Sequence, residues 1–340
     1  MPDLLSMLAS GPVVCAEGYL FECERRGYLQ AGAFVPEVVL EHPEVVEELH
    51  REFVHAGSDV VEAFTYYGHR EKLRVIGKED VLEPLNRQAL AIAAKVARET
   101  GTLLAGNICN TNVYEPGEAA QRAVRAAFDE QVSWAAEAGV DFIIAETFSW
   151  AGEALLGLEA IKAAGLPAVV TFAIHKDPDM RDGVSPVEAC RRAEQAGADV
   201  VGLNCIRGPQ SMLPLLAPIR AAVSCPVAAL PVPYRTTEAE PSMQSLRDPA
   251  RGGAQAFPTG LDPFTCTRYE LADFTKAARE RGVSYLGICC GAGPQHVRAM
   301  AEAAGKRPEA SRYAPDMSKH SFLGSADGIT ESYREYAPNL

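Results

Sequence analysis

The chain has 340 residues, 47% of them hydrophobic and 23% charged, which is the balance of a globular protein with a large core. Its formal charge of −13 argues against nucleic acid and membrane as partners, because both need a basic surface. The N-terminus lacks the basic start and long apolar stretch of a secretory signal, and no apolar run approaches the ~18–20 residues of a membrane helix. Nine widely spaced cysteines do not form a disulfide framework, so the chain reads as an acidic cytoplasmic protein with reduced thiols.

Eight short apolar runs follow one another: 12–18, 58–65, 102–109, 141–148, 167–174, 198–205, 225–232 and 283–290. Each is rich in Val, Ile or Leu and apolar on both faces, the pattern of a buried parallel strand. Amphipathic segments lie between them, near 43–56, 80–100, 117–138, 149–164, 186–196, 210–222, 270–281 and 294–305. Five of the helix-to-strand turns read HAGSD, EAGVD, AAGLP, QAGAD and ERGVS, each with a glycine suited to a helix C-cap. Eight strand–helix units predict an α/β fold, a closed (β/α)8 TIM barrel, over residues 1–306. An open doubly wound sheet is the alternative, but the chain has no G-x-G-x-x-G motif.

Long inserts interrupt the pattern at 19–42, after the first strand, and at 233–268, after the seventh. Loops of such length are usually lids or binding loops. Residues 307–340 read as an irregular C-terminal tail that packs on the barrel or serves a homo-oligomer contact.

A TIM barrel builds its active site at the C-terminal ends of its strands. Glu17, Thr65-Tyr66-Tyr67, Cys109-Asn110, Glu146-Thr147-Phe148, Asn204-Cys205 and Cys289-Cys290-Gly291 stand there. Three thiols, Cys205, Cys289 and Cys290, therefore converge from the sixth and eighth strands. Thiolates suit zinc, and a catalytic site keeps a fourth position open. Adjacent cysteines point to opposite sides of a strand, so both can ligate only where the chain bends, as Gly291-Ala292-Gly293-Pro294 allows. Free cysteines also pack in cores, so spacing alone leaves both readings open.

GLNC (202–205) with GICCG (287–291) resembles the zinc-dependent homocysteine S-methyltransferase family, which pairs a G-x-N-C strand end with a G-G-C-C strand end. LFECERRGYLQAG (20–32), EHPEVVEELHREFVHAGSDVVEAFTYY (41–67), DFIIAETF (141–148) and GVSYLGICCGAGPQHVRAMAE (282–302) extend the likeness, most of all to its betaine–homocysteine members. The resemblance implies Zn2+ on Cys205, Cys289 and Cys290, and transfer of a methyl group from a quaternary ammonium or sulfonium donor to homocysteine. It implies that Glu146 holds the homocysteine amino group and that Asn204 orients Cys205 or the substrate backbone, with a purely structural turn as the alternative for Asn204.

The chain departs from the pattern at three places. A gapless alignment puts Ala16 at the place of the family's first-strand acid, and a one-residue deletion puts Glu17 there, so the resemblance implies that Glu17 substitutes for that acid by reach. Phe34 stands where the betaine enzymes carry tryptophan, and Thr147 where they carry tyrosine. Tyr67 matches a betaine-contacting tyrosine, and an onium group binds to aromatic faces through cation–π attraction. Tyr66, Phe148 or Trp150 would compensate for a thinned cage. These departures admit S-methylmethionine, dimethylsulfoniopropionate or another onium as donor, and another thiol as acceptor.

Arg207, Tyr234, Arg235 and Thr236 are further candidates for a carboxylate. His69, His175 and His296 lie in no ligand motif and read as solvent-facing or helix-surface residues. Two rivals remain: a metal-free lyase or aldolase using Glu17 and Glu146 as acid and base, and a non-catalytic protein that binds methylated amines.

Overall fold

Apolar segments buried on both faces become the strands of a closed parallel barrel. The computed structural model describes residues 3–340. The barrel strands are β1 (Val13–Ala16), β2 (Val60–Glu62), β3 (Leu103–Cys109), β4 (Phe142–Phe148), β5 (Ala168–Phe172), β6 (Val200–Asn204), β7 (Val227–Leu230) and β8 (Val283–Ile288). Each is hydrogen-bonded to the next, and β8 closes on β1 with Cys15 opposite Gly287. All eight fall inside the apolar runs read from sequence, so the barrel expectation holds and the open sheet does not.

Eight helices cover the outer face of the strands in the expected order, beginning with Pro43–Ala56 and ending with Pro294–Ala303. Gly57, Gly139, Gly165, Gly197 and Gly282 all take positive φ, the left-handed conformation that ends a helix and turns the chain into the next strand. A second device recurs at these turns. The carboxylates of Asp59, Asp141 and Asp199 accept the backbone N–H of Val14, Leu104 and Ala168 at 2.7, 2.7 and 2.8 Å. Each aspartate pins the start of one strand to its neighbour and so fixes register.

The barrel interior divides in two. Its lower part is apolar, built from Val13, Val60, Phe142, Ile144, Val200 and Tyr285 among others. A short N-terminal helix, Leu4–Ser10, inserts Leu4 and Leu8 into that same cluster and plugs the base. The upper part holds the buried polar residues Glu17, Glu62, Asn107, Glu146, Thr171 and Asn204. The insert at 19–42 contains the helix Tyr19–Arg25. The insert at 233–268 folds into short 3-10 turns and a two-residue ladder pairing Arg247–Asp248 with Ala254–Gln255. The tail carries 3-10 turns and the helix Glu331–Tyr336. Among the described residues, no helix is long and apolar enough to cross a membrane.

Candidate active site

Three sulfurs meet at the upper mouth of the barrel. Strand β6 ends at Asn204, and Cys205 then takes φ +55 while its N–H donates to the Leu230 carbonyl at 2.8 Å. Strand β8 ends at Ile288, and Gly291 at φ +93 turns the chain, so Cys289 and Cys290 can face one point. The sulfurs of Cys205, Cys289 and Cys290 lie within 4.8 Å of one another, and those of Cys289 and Cys290 are 3.9 Å apart. Tetrahedral zinc with Zn–S bonds of about 2.3 Å needs sulfurs about 3.8 Å apart, so the residues present fit such an ion. All three thiols are buried. Hydrogen bonds from the other two thiols hold Cys205 well below the usual thiol range. Cys289 is pushed well up, chiefly by burial, and Cys290 chiefly by its bond to Cys205.

Beside the sulfurs lies a small acidic hollow lined by Glu17, Glu62, Asn107, Glu146, Cys289 and Cys290, among others. Its free volume of about 10 Å3 suits one water-sized group. The Asn204 amide donates to Glu146 Oε2 at 2.6 Å, to Thr147 Oγ1 at 2.9 Å and to Glu17 Oε2 at 3.4 Å. Thr147 in turn donates its hydroxyl to Glu146 at 3.0 Å. The Glu146 carboxyl is pushed up to about 8, first by burial and then by the charge of Cys205. Burial, followed by the charge of Glu146, likewise raises Glu17 well above the carboxylate range.

On the other side of the sulfurs opens a larger cavity of about 230 Å3. Phe34, Tyr66, Tyr67 and Trp150 supply aromatic walls, and Cys205 and Cys290 form part of its lining. The Tyr66 and Tyr67 rings stand 4.4 Å apart, and the Lys72 ammonium lies 4.1 Å from the Tyr67 centroid. Phe34 packs edge-on against Phe21 at 5.6 Å. Among the described residues, the non-glycine positions at positive φ are Phe34, Tyr67, Asn112, Thr147, Cys205 and Ile206, and every one of them lines this cavity. Such conformations cost about 1–3 kcal/mol each and concentrate at functional sites.

The structure thus brings together the nominated residues Glu17, Phe34, Tyr67, Glu146, Thr147, Asn204, Cys205, Cys289 and Cys290. Other nominations are corrected. Phe148 is fully buried against Phe128 and does not reach the cavity. The Arg207 guanidinium donates to the carbonyls of Ile174 and His175, and Arg235 is paired with Glu270. Tyr234 accepts from Arg25, and Thr236 accepts from the Gly208 N–H. These four hold loops together. His69 and His296 are buried rather than solvent-facing, because each Nδ1 accepts a backbone N–H at a helix start. His175 lines the cavity and bonds to Ser149 at 2.9 Å. Among the described residues no lysine lines either hollow.

Sequence reading missed Glu62 and Asn107. The signal was present, since each is a polar residue inside a strand otherwise apolar on both faces.

The family model for homocysteine S-methyltransferase matches residues 20–304. The S-methylmethionine–homocysteine S-methyltransferase BHMT2 of Pongo abelii is 34% identical over 350 residues, covering 99% of this chain and 92% of that protein. Betaine–homocysteine S-methyltransferase 1 of Danio rerio is 36% identical over 334 residues, covering 95% of this chain and 80% of that protein. The metallated homocysteine methyltransferase MmuM of Escherichia coli shares the fold, with a TM-score of 0.69 at 18% identity over 88% of this chain and 99% of that one. The chain belongs to the homocysteine S-methyltransferase family.

Proposed function

We propose that this protein transfers a methyl group from an onium donor, a betaine-like quaternary ammonium, to the sulfur of homocysteine, giving methionine. Cys205, Cys289 and Cys290 would hold zinc. The observation that carries the reading is the position of the sulfurs between two hollows of opposite character. Cys290 lines both the small acidic hollow and the aromatic cavity. A thiol anchored by its amino group on one side would meet a methyl cation equivalent from the other.

Zinc, when bound, keeps a coordinated thiol deprotonated at neutral pH and so supplies the nucleophilic form of sulfur. The chain's own residues do the rest. Glu17 and Glu146 take the amino group, and the Asn204 amide fixes both carboxylates. Thr147 supports the same Glu146 oxygen through its hydroxyl, and Asn107 holds the other. Tyr67 and Phe34, with Tyr66 and Trp150, present faces to a cation that cannot donate hydrogen bonds. Sulfur gains the methyl group, and the donor's C–N bond breaks with its electron pair left on nitrogen. An anionic sulfur and a cationic donor become two neutral products, a change that a water-poor cavity favours.

The smaller side chains at Phe34 and Thr147 and the mixed relatives support a second donor class, the sulfoniums. Nine free thiols, all but Cys225 buried, suit the reducing cytoplasm. Residues 307–340 expose Tyr313, Met317, Leu323, Tyr333 and Tyr336, side chains suited to contact with a second copy.

Methyl-deuterated betaine, dimethylsulfoniopropionate and S-methylmethionine, each supplied with homocysteine and zinc-loaded protein, test the reading by mass spectrometry. Methionine heavier by one labelled methyl group is expected from at least one donor. Homocysteine left unlabelled by all of them contradicts the assignment and favours the rival that binds methylated amines without turnover.

A further inference from the structure

The acidic hollow contains one carboxylate more than the proposed function uses. Glu62, the last residue of β2, is 2% exposed and lines the hollow with Glu17 and Glu146. The Asn107 amide nitrogen donates to Glu62 Oε1 at 2.7 Å and to Glu146 Oε1 at 2.6 Å. Through Asn107 and Asn204, the three glutamates form one chain of hydrogen bonds running from Glu62 to Glu17. Carboxylate oxygens of Glu17 and Glu62 lie within 4.8 Å of each other.

Nothing on the protein side answers this charge. Among the described residues the lining contains no lysine, arginine or histidine. Two acceptors in the lining, Glu17 Oε1 and Asn107 Oδ1, are buried without any hydrogen-bond partner. The Asn107 amide nitrogen lies between the carboxyl groups of Glu62 and Glu146, which leaves the amide oxygen as the unanswered atom. A buried acceptor left unpaired is costly, so the hollow is built for something that donates.

We propose that Glu62 is a specificity-determining residue for the acceptor: a third carboxylate that helps enclose the substrate's ammonium group and holds Asn107 with its carbonyl oxygen turned to one of the ammonium hydrogens. The inference rests on the homocysteine reading given above. An ammonium group brings three N–H donors to a place whose acceptors are Glu17 Oε1, Asn107 Oδ1 and the carboxylates of Glu146 and Glu62. It also brings the positive charge that three clustered acids lack. A thiol without an amino group supplies neither and leaves the carboxylates facing one another. Burial, followed by the charge of Glu146, holds the Glu62 carboxyl well above its ordinary range, as befits an acid with no cation beside it.

Isothermal titration of the zinc-loaded protein with homocysteine and with 4-mercaptobutanoate, the same thiol acid without its amino group, tests the subsite independently of turnover. The wild type should bind homocysteine at least about tenfold more tightly, and Glu62→Gln, equal in size but uncharged, should lose about tenfold for homocysteine alone. In kinetics the same variant should raise the homocysteine KM about tenfold while kcat falls less than threefold. Glu62→Asp should fall between the two, which also serves if the glutamine variant fails to fold. A glutamine or aspartate variant that keeps the wild-type preference for homocysteine overturns the role of Glu62. Equal binding of the two thiols by the wild type overturns the ammonium subsite as a whole. Strong preferential binding with no methyl transfer from any donor would leave the subsite standing and sink the proposed reaction instead.

Discussion

His50 is fully buried against Tyr19, at 4.8 Å between ring centroids, and neither of its ring nitrogens has a partner. Burial pushes its pKa down to about 3. The unfolded chain takes up this proton near pH 6.5, whereas the folded chain resists it until about pH 3. Stability is therefore full above pH 6.5 and falls as the pH drops below it. Between pH 6.5 and 5 this one residue should cost about 2 kcal/mol. Urea denaturation at both pH values should show His50→Phe losing less stability than the wild type by about that amount, and equal losses would show that the ring is protonated in place.

Glu17 shows how far residue-level reading reaches. A gapless alignment places Ala16 at the position of the family acid and a one-residue deletion places Glu17 there, a choice that sequence alone leaves open. Strand β1 ends at Ala16, Glu17 donates its N–H to the Ile288 carbonyl, and its side chain joins Glu146 and Cys289 within 4.8 Å. Glu62 was overlooked for the opposite reason. Its strand was read for apolarity, and a single acid in it looked like an exception rather than a lining residue.

At the scale of elements, the strand ends carry the chemistry. Gly291 is the clearest case. It has φ +93, and a Cβ on it would lie 2.0 Å from the Tyr234 hydroxyl oxygen. Gly291→Ala should cost about 1–3 kcal/mol through strain and overpacking. It should also lower zinc content by at least about half, because the bend that brings Cys289 and Cys290 to one point is displaced. Thermal unfolding together with metal analysis of the purified variant checks both effects. An alanine variant with wild-type Tm and full metal would mean that the turn can form without glycine.

Strands and helices were legible because burial on both faces and a 3.6-residue period leave clear patterns, and the five turn glycines marked the boundaries between them. The insert at 233–268 was legible only as a loop. Its structure consists of 3-10 turns and a two-residue ladder, elements too short to leave a period in the sequence. The N-terminal helix went unread for the same reason, being seven residues long.

For the whole molecule, the division of the barrel interior separates stability from chemistry. The apolar base is closed by Leu4 and Leu8, while the polar mouth carries the buried acids and the three thiols. Leu4→Ala should destabilise the protein by about 2–5 kcal/mol in urea denaturation. It should leave the homocysteine KM within about twofold, since the plug does not line either hollow. A large change in KM with unaltered stability would place the base of the barrel in the site and contradict the division.

The account depends most on three thiols holding one zinc ion, and metal analysis of folded protein tests this directly. About one zinc per chain is expected in the wild type. Cys205→Ala, Cys289→Ala and Cys290→Ala should each lose the zinc and the methyl transfer while keeping their circular dichroism. A protein stripped of metal that still makes methionine at the full rate would contradict the account.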